Sequence, residues 1–462
     1  MHPLLQSVVV LALVLAVARF IKRGSTVLQR FFIPSALVAG VIGLVLGPQL
    51  FDTIPKEITD YWAGWPKYLI TVVFAGLFLG KVIPSRKEIW KVSGPMIAFG
   101  NTLAWGQYVL GILATLLFLG PLFGVSPLAG SLVEISFEGG HGTAAGLAPT
   151  FDELGWSEGT DIALGLATFS IVAAIVIGIF FVNWHSRRGG GNYVDPEVQD
   201  KQRQQMIRSG YNLITLGRKI QTSPKAIIIN VAAFAVAIGL GWLMLKGCVW
   251  LEDAALGSVT DIRFFTHLPL FPLAMIGGLI VQMTLRKFGR QTVIQRRTAS
   301  IISTMALDVL IASAIATVSL SAIGNNLPVF ITFAVLGIAW IVFGFLVLAP
   351  RMFSSYWFEK GLTNMGQSMG MTATGLLLGR LADPSNHSNA RASFGYKQLA
   401  FEPFMGGGLV TAGSVIALHE FGQLPVLIAV TVATLFWLWL GLRLGKKKQP
   451  EAEERVDVHR LE

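Results

Sequence analysis

Eleven runs of about 17 to 27 largely apolar residues, parted by short polar segments, constrain this chain more than any other feature of its sequence. Crossing about 30 Å of hydrocarbon takes roughly 20 apolar residues of helix, because loops and open sheet edges leave backbone amides without partners in lipid. Composition agrees, since 53% of the residues are hydrophobic and 13% charged, outside the range of soluble globular domains. The expected spans are 3–22, 33–48, 66–83, 95–120 and 159–184, then 225–247, 268–285, 298–322, 327–350 and 398–419, with an extra one at 425–444. The first run is followed, not preceded, by its charges Arg19, Lys22 and Arg23, which makes it a retained span and not a signal peptide.

The formal charge of +10 does not point to nucleic acid, because the basic residues lie in the short segments between apolar runs and form no basic face with interleaved aromatics. Their distribution orients the chain instead. With the N-terminus outside, four of the 36 Lys and Arg face outward (Lys56, Lys67, Lys246 and Arg263), and the rest, down to the tail Lys446 to Lys448, face the cytoplasm. The lone Cys248 permits no intramolecular disulfide and reads as a small apolar filler.

Two further segments, 127–151 and 357–381, are apolar at both ends but interrupted by glycine and polar residues in the middle. The limb 127–137 amounts to about 16 Å of helix, half the depth of the hydrocarbon, so it has to turn back. A turn at that depth is tolerated where protein or a water-filled cavity shields it, which makes a re-entrant hairpin a marker of a solute path; a kinked full span is the other reading. The hairpins carry nearly the same sequence, Thr143-Ala144-Ala145-Gly146-Leu147 and Thr372-Ala373-Thr374-Gly375-Leu376, 229 residues apart (143 to 372). Because five spans separate the copies, the halves have opposite orientation.

The expected fold is therefore an all-α polytopic membrane protein of two inverted five-span repeats, each with a re-entrant hairpin, plus one extra span. Residues 1–184 form the first repeat and 225–419 the second, with a cytoplasmic linker at 185–224, the extra span at 425–444 and a charged cytoplasmic tail at 445–462. Within the linker, Asp195 and Pro196 suit an N-cap and first helical position.

Glu138, Gly139, Gly140, His141 and Gly142 form the first tip; Gly366, Gln367, Ser368, Met369, Gly370 and Met371 form the second. Glycine lets the chain turn sharply and lets another group come close. Past each tip a new half-helix starts near Thr143 or Thr372, and its free amides and partial positive charge attract an anion. The helix entering each hairpin ends there too, and its unpaired carbonyls suit a sodium ion. Gly140, His141, Gly142, Thr143, Ser368, Gly370, Thr372 and Thr374 are thus candidate contacts for an anionic solute, with Glu138, Gly139, Gly366 and Gln367 offering mainly backbone carbonyls to sodium. His141 reads equally as a ligand or proton-responsive group and as a hydrogen-bonded prop for the tip. Asp308, in an apolar run, is a candidate because ionisable groups at membrane depth usually serve function, and a paired structural carboxyl is its alternative. Glu402, Asp161 and Arg380 read mainly as interfacial or capping residues. These features describe an ion-coupled carrier for a small anionic solute.

Around the tips the chain resembles the sodium/glutamate symporters of the bacterial ESS family, on Glu138-Gly-Gly-His-Gly-Thr-Ala-Ala145 and the polar, Gly-rich segment from Gly366 through Thr374. The resemblance implies a homodimer in the bacterial inner membrane, whose hairpin-bearing domain moves against a fixed scaffold in an elevator-type cycle, with Na+ and L-glutamate bound between the tips. It places Gly139 to Thr143 and Gly366 to Thr374 along that site. The extra span, the charged tail and the Gln-Ser-Met insertion between the second tip's glycines depart from the family pattern. A sodium- or proton-coupled carrier of another small carboxylate is the alternative within transport. From a different class, Gly366-Gln-Ser-Met-Gly370 matches the G-x-S-x-G elbow of serine hydrolases, with Ser368 as nucleophile and His141 as base; the elbow needs a preceding strand, and the segment before Ser368 is helix-like.

Overall fold

A computed structural model describes residues 2–30, 33–187, 224–256 and 262–446. Most of the expected linker, with its Asp195–Pro196 cap, and the charged tail lie outside the described residues. Among the described residues the secondary structure is entirely helical. The first half holds α1 (Pro3–Gly24), α2 (Thr26–Arg30), α3 (Ser35–Leu46), α4 (Lys56–Gly64), α5 (Pro66–Ala75), α6 (Arg86–Phe123), α7 (Pro127–Phe137), α8 (Gly140–Gly146), α9 (Ala148–Glu153) and α10 (Glu158–Arg187). The second holds α11 (Pro224–Leu256), α12 (Leu270–Lys287), α13 (Arg296–Ala316), α14 (Leu320–Asn325), α15 (Leu327–Met352), α16 (Trp357–Ser368), α17 (Thr372–Ala382), α18 (Ala390–Phe401), α19 (Leu409–Phe421) and α20 (Gln423–Lys446).

Eight of these helices, α1, α6, α10, α11, α12, α13, α15 and α20, are long and apolar enough to cross a membrane, and the chain is a polytopic membrane protein. Their outward surfaces are apolar: Leu13, Phe20, Trp250 and Val432 are among many large exposed hydrophobic side chains. In water such a surface would aggregate; against acyl chains it is the expected one.

Three expected spans take a different form. The run 33–48 yields a helix of only 12 residues, 66–83 ends as a helix at Ala75, and 398–419 is split into α18 and α19 around residues 402–408. Glycine and proline account for the breaks, because the apolar run continues while the helix cannot. At several breaks the freed backbone groups are satisfied by side chains remote in sequence. Beyond α5, one guanidinium nitrogen of Arg296 donates to the carbonyls of Gly76, Leu77 and Leu79 at 3.0, 3.3 and 3.0 Å. The Gln282 side chain accepts from the Gly80 amide at 2.8 Å and donates to the Lys81 carbonyl at 2.9 Å. Between α13 and α14, Gln49 donates to the Val318 carbonyl at 2.6 Å and accepts from the Leu320 amide at 2.9 Å, while Asp161 accepts from the Ser319 amide at 2.9 Å. Asp161 thus patches a broken backbone.

The interrupted segments form helix–turn–helix units. In the second, Gly375 and Gly379 of α17 lie against Thr363 of α16, so the limbs run antiparallel. Both hairpins nest among long helices, and their buried side chains, from Leu132 and Phe137 to Leu362 and Met365, share one large core with α6, α10 and α15.

Because one cation holds three carbonyls, Arg296→Met is expected to destabilise the fold by about 3 kcal/mol. Denaturant unfolding in detergent micelles measures this, and an unchanged midpoint would show that those carbonyls find other partners.

Candidate functional site

The two tips meet. Gly140 has a φ of +68°, and a Cβ built there would stand 3.1 Å from the carbonyl oxygen of Gly370. A side chain at this position is therefore strained by its backbone and pressed against the opposite tip. Two residues earlier along the first tip, the Glu138 carboxylate accepts a hydrogen bond from the Gln367 amide of the second. The two bonded residues are 229 positions apart, the same offset as the repeated Thr-Ala motif.

Gln367 also faces the other way: its Oε1 accepts from the ammonium of Lys397, on α18, at 2.6 Å. Glu138, Gln367 and Lys397 are 3%, 3% and 0% exposed, so an anion, an amide and a cation form one buried chain between three elements. The ammonium lies 3.5 Å from the centroid of the Phe401 ring, whose π-face adds about 2 kcal/mol of attraction at a desolvated site. Burying two opposite charges costs several kcal/mol per ion unless each is fully partnered. A protein that assembles such a chain where its two hairpins touch has built a polar centre into an apolar interior.

A second buried carboxylate lies one helical turn earlier. Glu134 accepts from Tyr108 at 2.6 Å, from the Thr411 hydroxyl at 2.8 Å and from the Gly406 amide at 3.2 Å. Three donors compensate its charge, and they come from α6, α19 and the break between α18 and α19. Gly407, in that break, has a φ of +101° and fits against Phe74 and Thr143, where any side chain would collide. Lys81, past the end of α5, stands 4.0 Å from Glu402 in the same break. Two interrupted helices thus cross against the first tip.

The other sequence candidates divide. The hydroxyl of Thr143 donates to the Gly139 carbonyl at 3.1 Å, and Gly142 rests on Ile70. The Thr168 hydroxyl donates to Leu164, so its contact with His141 Nε2 at 2.9 Å makes the imidazole the donor there; Nδ1 is then a buried acceptor without a hydrogen-bond partner among the described residues. The Ser368 carbonyl accepts from Gln107 at 3.0 Å, and Gly366 packs on Gly375. Thr372 accepts from Gln398 at 2.8 Å, and Thr374 lies beside Gly370. Asp308 does not join them. Its carboxylate pairs with Arg19 of α1 at 3.3 Å, the structural role held as its alternative.

Sequence reasoning passed over Glu134, Lys397, Tyr108, Thr411 and Gln398. A signal existed for the first two, since each is an ionisable residue in or beside an apolar run, the kind of position that singled out Asp308. The serine hydrolase reading has no footing: Ser368 ends a helix, no strand precedes it, and His141 is bonded to Thr168.

A charged, buried centre held between two helical hairpins in a chain of membrane-length helices defines a membrane transport protein, not a hydrolase. The family model for sodium/glutamate symporters matches residues 3–376, and the chain belongs to that family, which is one of transporters. A sodium/glutamate symporter of Haemophilus influenzae is 27% identical over 288 residues, an alignment spanning 60% of this chain and 63% of that protein's length. Sodium/glutamate symporters of Escherichia coli and Shigella flexneri are each 24% identical over 433 residues, covering 91% of this chain and 98% of theirs.

If the tips touch as described, cysteines placed at Glu138 and Gln367, whose side chains face each other, with Cys248 replaced by serine, are expected to be joined by a short bifunctional thiol reagent. Mass spectrometry of the digested protein reads the cross-link, and its absence would mean that the hairpins do not converge.

Proposed function

We propose that this chain is a secondary active transporter that carries L-glutamate into the cell together with Na+. The observation that carries the reading is the meeting of two hairpin tips around the buried Glu138–Gln367–Lys397 chain. A solute with charged groups needs such groups to replace its water, and ionisable residues buried at membrane depth usually serve function because burying them is costly. Membership of the sodium/glutamate symporter family supports both the ion and the solute.

In this reading the hairpins are re-entrant and the two halves, 1–184 and 225–419, are inverted repeats joined by the linker 185–224. Glu138 and Gln367 then occupy equivalent positions and touch across the pseudo-symmetry axis. Two π-helical turns, Thr115–Leu119 in α6 and Gly344–Leu348 in α15, recur at the same 229-residue offset, each followed by a proline, Pro121 and Pro350. Such a wide turn loosens a helix at a fixed point, and its recurrence supports a duplicated unit. The hairpins enter from opposite faces, with the N-terminus outside, the C-terminus cytoplasmic and α20 an appended span, all in the bacterial inner membrane. Two such units form a homodimer, and the hairpin-bearing part shifts against the remainder in an elevator-type cycle.

The solute sits between Gly140–Thr143 and Ser368–Thr374. Sodium takes backbone carbonyls around Glu138–Gly139 and Gly366–Gln367, where the chain turns out of helical bonding. Asp308, tied to Arg19, holds α13 to α1 and stays outside this site.

Reconstituted into liposomes, the protein is expected to accumulate labelled L-glutamate under an inward sodium gradient and to show counterflow, which a channel cannot. Gly140→Val and Gly370→Val are each expected to abolish uptake while the protein still elutes as a folded species. Full activity in both variants would remove the tips from the transport path, and uptake driven by protons but not by sodium would replace the coupling ion.

A further inference from the structure

The buried chain at the tips has a polarity that the anion-binding account of the hairpins does not use. Glu138 is an acceptor of positive charge on the first hairpin, Lys397 is a donor of positive charge on α18, and the Gln367 side chain fills the space between them with one donor and one acceptor. Read from Lys397 to Glu138, the amide presents an oxygen to the cation and an N–H to the anion. That is the pattern a zwitterion offers, carboxylate towards the ammonium and ammonium towards the carboxylate. We propose that Glu138 and Lys397 read the two charges of an α-amino acid, with Gln367 holding their place until the zwitterion enters. This rests on the reading of the chain as an amino-acid carrier, and it adds which charges recognise which part of the solute.

The physical case is one of exclusion. Both charges are buried, and separating them from Gln367 takes from each the amide that bridges it to the opposite charge, which is strongly unfavourable in an apolar interior. A simple anion entering the tips satisfies Lys397 and leaves Glu138 facing a second negative charge; a simple cation does the reverse. An α-amino acid meets both at once, so the tips part for it at the least cost. Glu134, by contrast, already has three donors from the surrounding helices and is not the group that meets the solute. The Lys397 ammonium, held at 3.5 Å over the Phe401 ring, keeps a favourable contact while its Gln367 partner is exchanged. The side-chain carboxylate of glutamate remains for the amides and hydroxyls about Thr143 and Thr372.

Competition for labelled L-glutamate uptake tests this in the unaltered protein, with glutarate, which lacks the ammonium, and 4-aminobutyrate, which lacks the α-carboxylate. Both are expected to compete at least about a hundredfold more weakly than L-glutamate, since sites that bind a polar group reject analogues without it. Glutarate competing as well as L-glutamate would overturn the assignment of Glu138, and 4-aminobutyrate doing so would overturn that of Lys397. Glu138→Gln is expected to weaken L-glutamate by about tenfold or more while leaving glutarate nearly unchanged, so the preference collapses. Lys397→Met is expected to weaken both. A merely structural role for Glu138 would lower both substrates by one factor and leave their ratio intact, which would also overturn the proposal. Should the unaltered protein fail to take up L-glutamate at all, the functional reading itself falls, and that result is distinct from normal uptake without discrimination among the three compounds.

Discussion

An apolar interior accepts a broken helix only if every backbone group freed by the break finds a partner in protein, and the architecture of this chain follows from meeting that demand several times over. Arg296 holds three carbonyls past the end of α5, Gln282 holds an amide and a carbonyl beside them, and Gln49 with Asp161 holds the turn between α13 and α14. Each such clamp comes from a segment remote in sequence. The breaks therefore fix how distant helices cross, and the crossings in turn create the small polar volume where the tips meet.

That volume is organised by compensation of charge. Glu134 is held by a phenol, a hydroxyl and a backbone amide; Glu138 is held by an amide that is itself held by a lysine. The difference matters for what each can do. A carboxylate surrounded by donors from three elements acts as a rivet between hairpin and broken helix. One bridged to a cation through a single side chain can exchange that bridge for a ligand, because the exchange conserves the number of paired charges. The first hairpin thus carries two carboxylates a helical turn apart with different work.

Much of this was legible in the residues. Run length and composition required a polytopic helical membrane protein, and the interrupted segments pointed to the stretches around Gly140 and Gly370 where helices break. Gly140, Gln367 and Gly370 were placed at the tips by the same argument, and there they meet. The sequence was less informative about helix continuity: 66–83 and 398–419 look like unbroken spans because hydropathy does not register a turn whose backbone is satisfied from elsewhere. The partner of Asp308 was hidden for a related reason, since an ionisable group in an apolar run announces that it needs a partner without saying which, and Arg19 lies 289 positions away. Lys397, just ahead of the expected span 398–419, and Glu134, inside the limb 127–137, were passed over although each is an ionisable residue in or beside an apolar run.

The sequence by itself determined that the chain lives in a bilayer and where two of its segments interrupt their helices, because periodicity and composition are local properties that a bilayer filters strictly. Only the tertiary structure decided that these interruptions face each other, that a glutamate of one reaches a glutamine of the other, and that a lysine from a third element completes the chain. Pairing of buried charges is a matter of ångströms between residues hundreds of positions apart, and no local pattern encodes it.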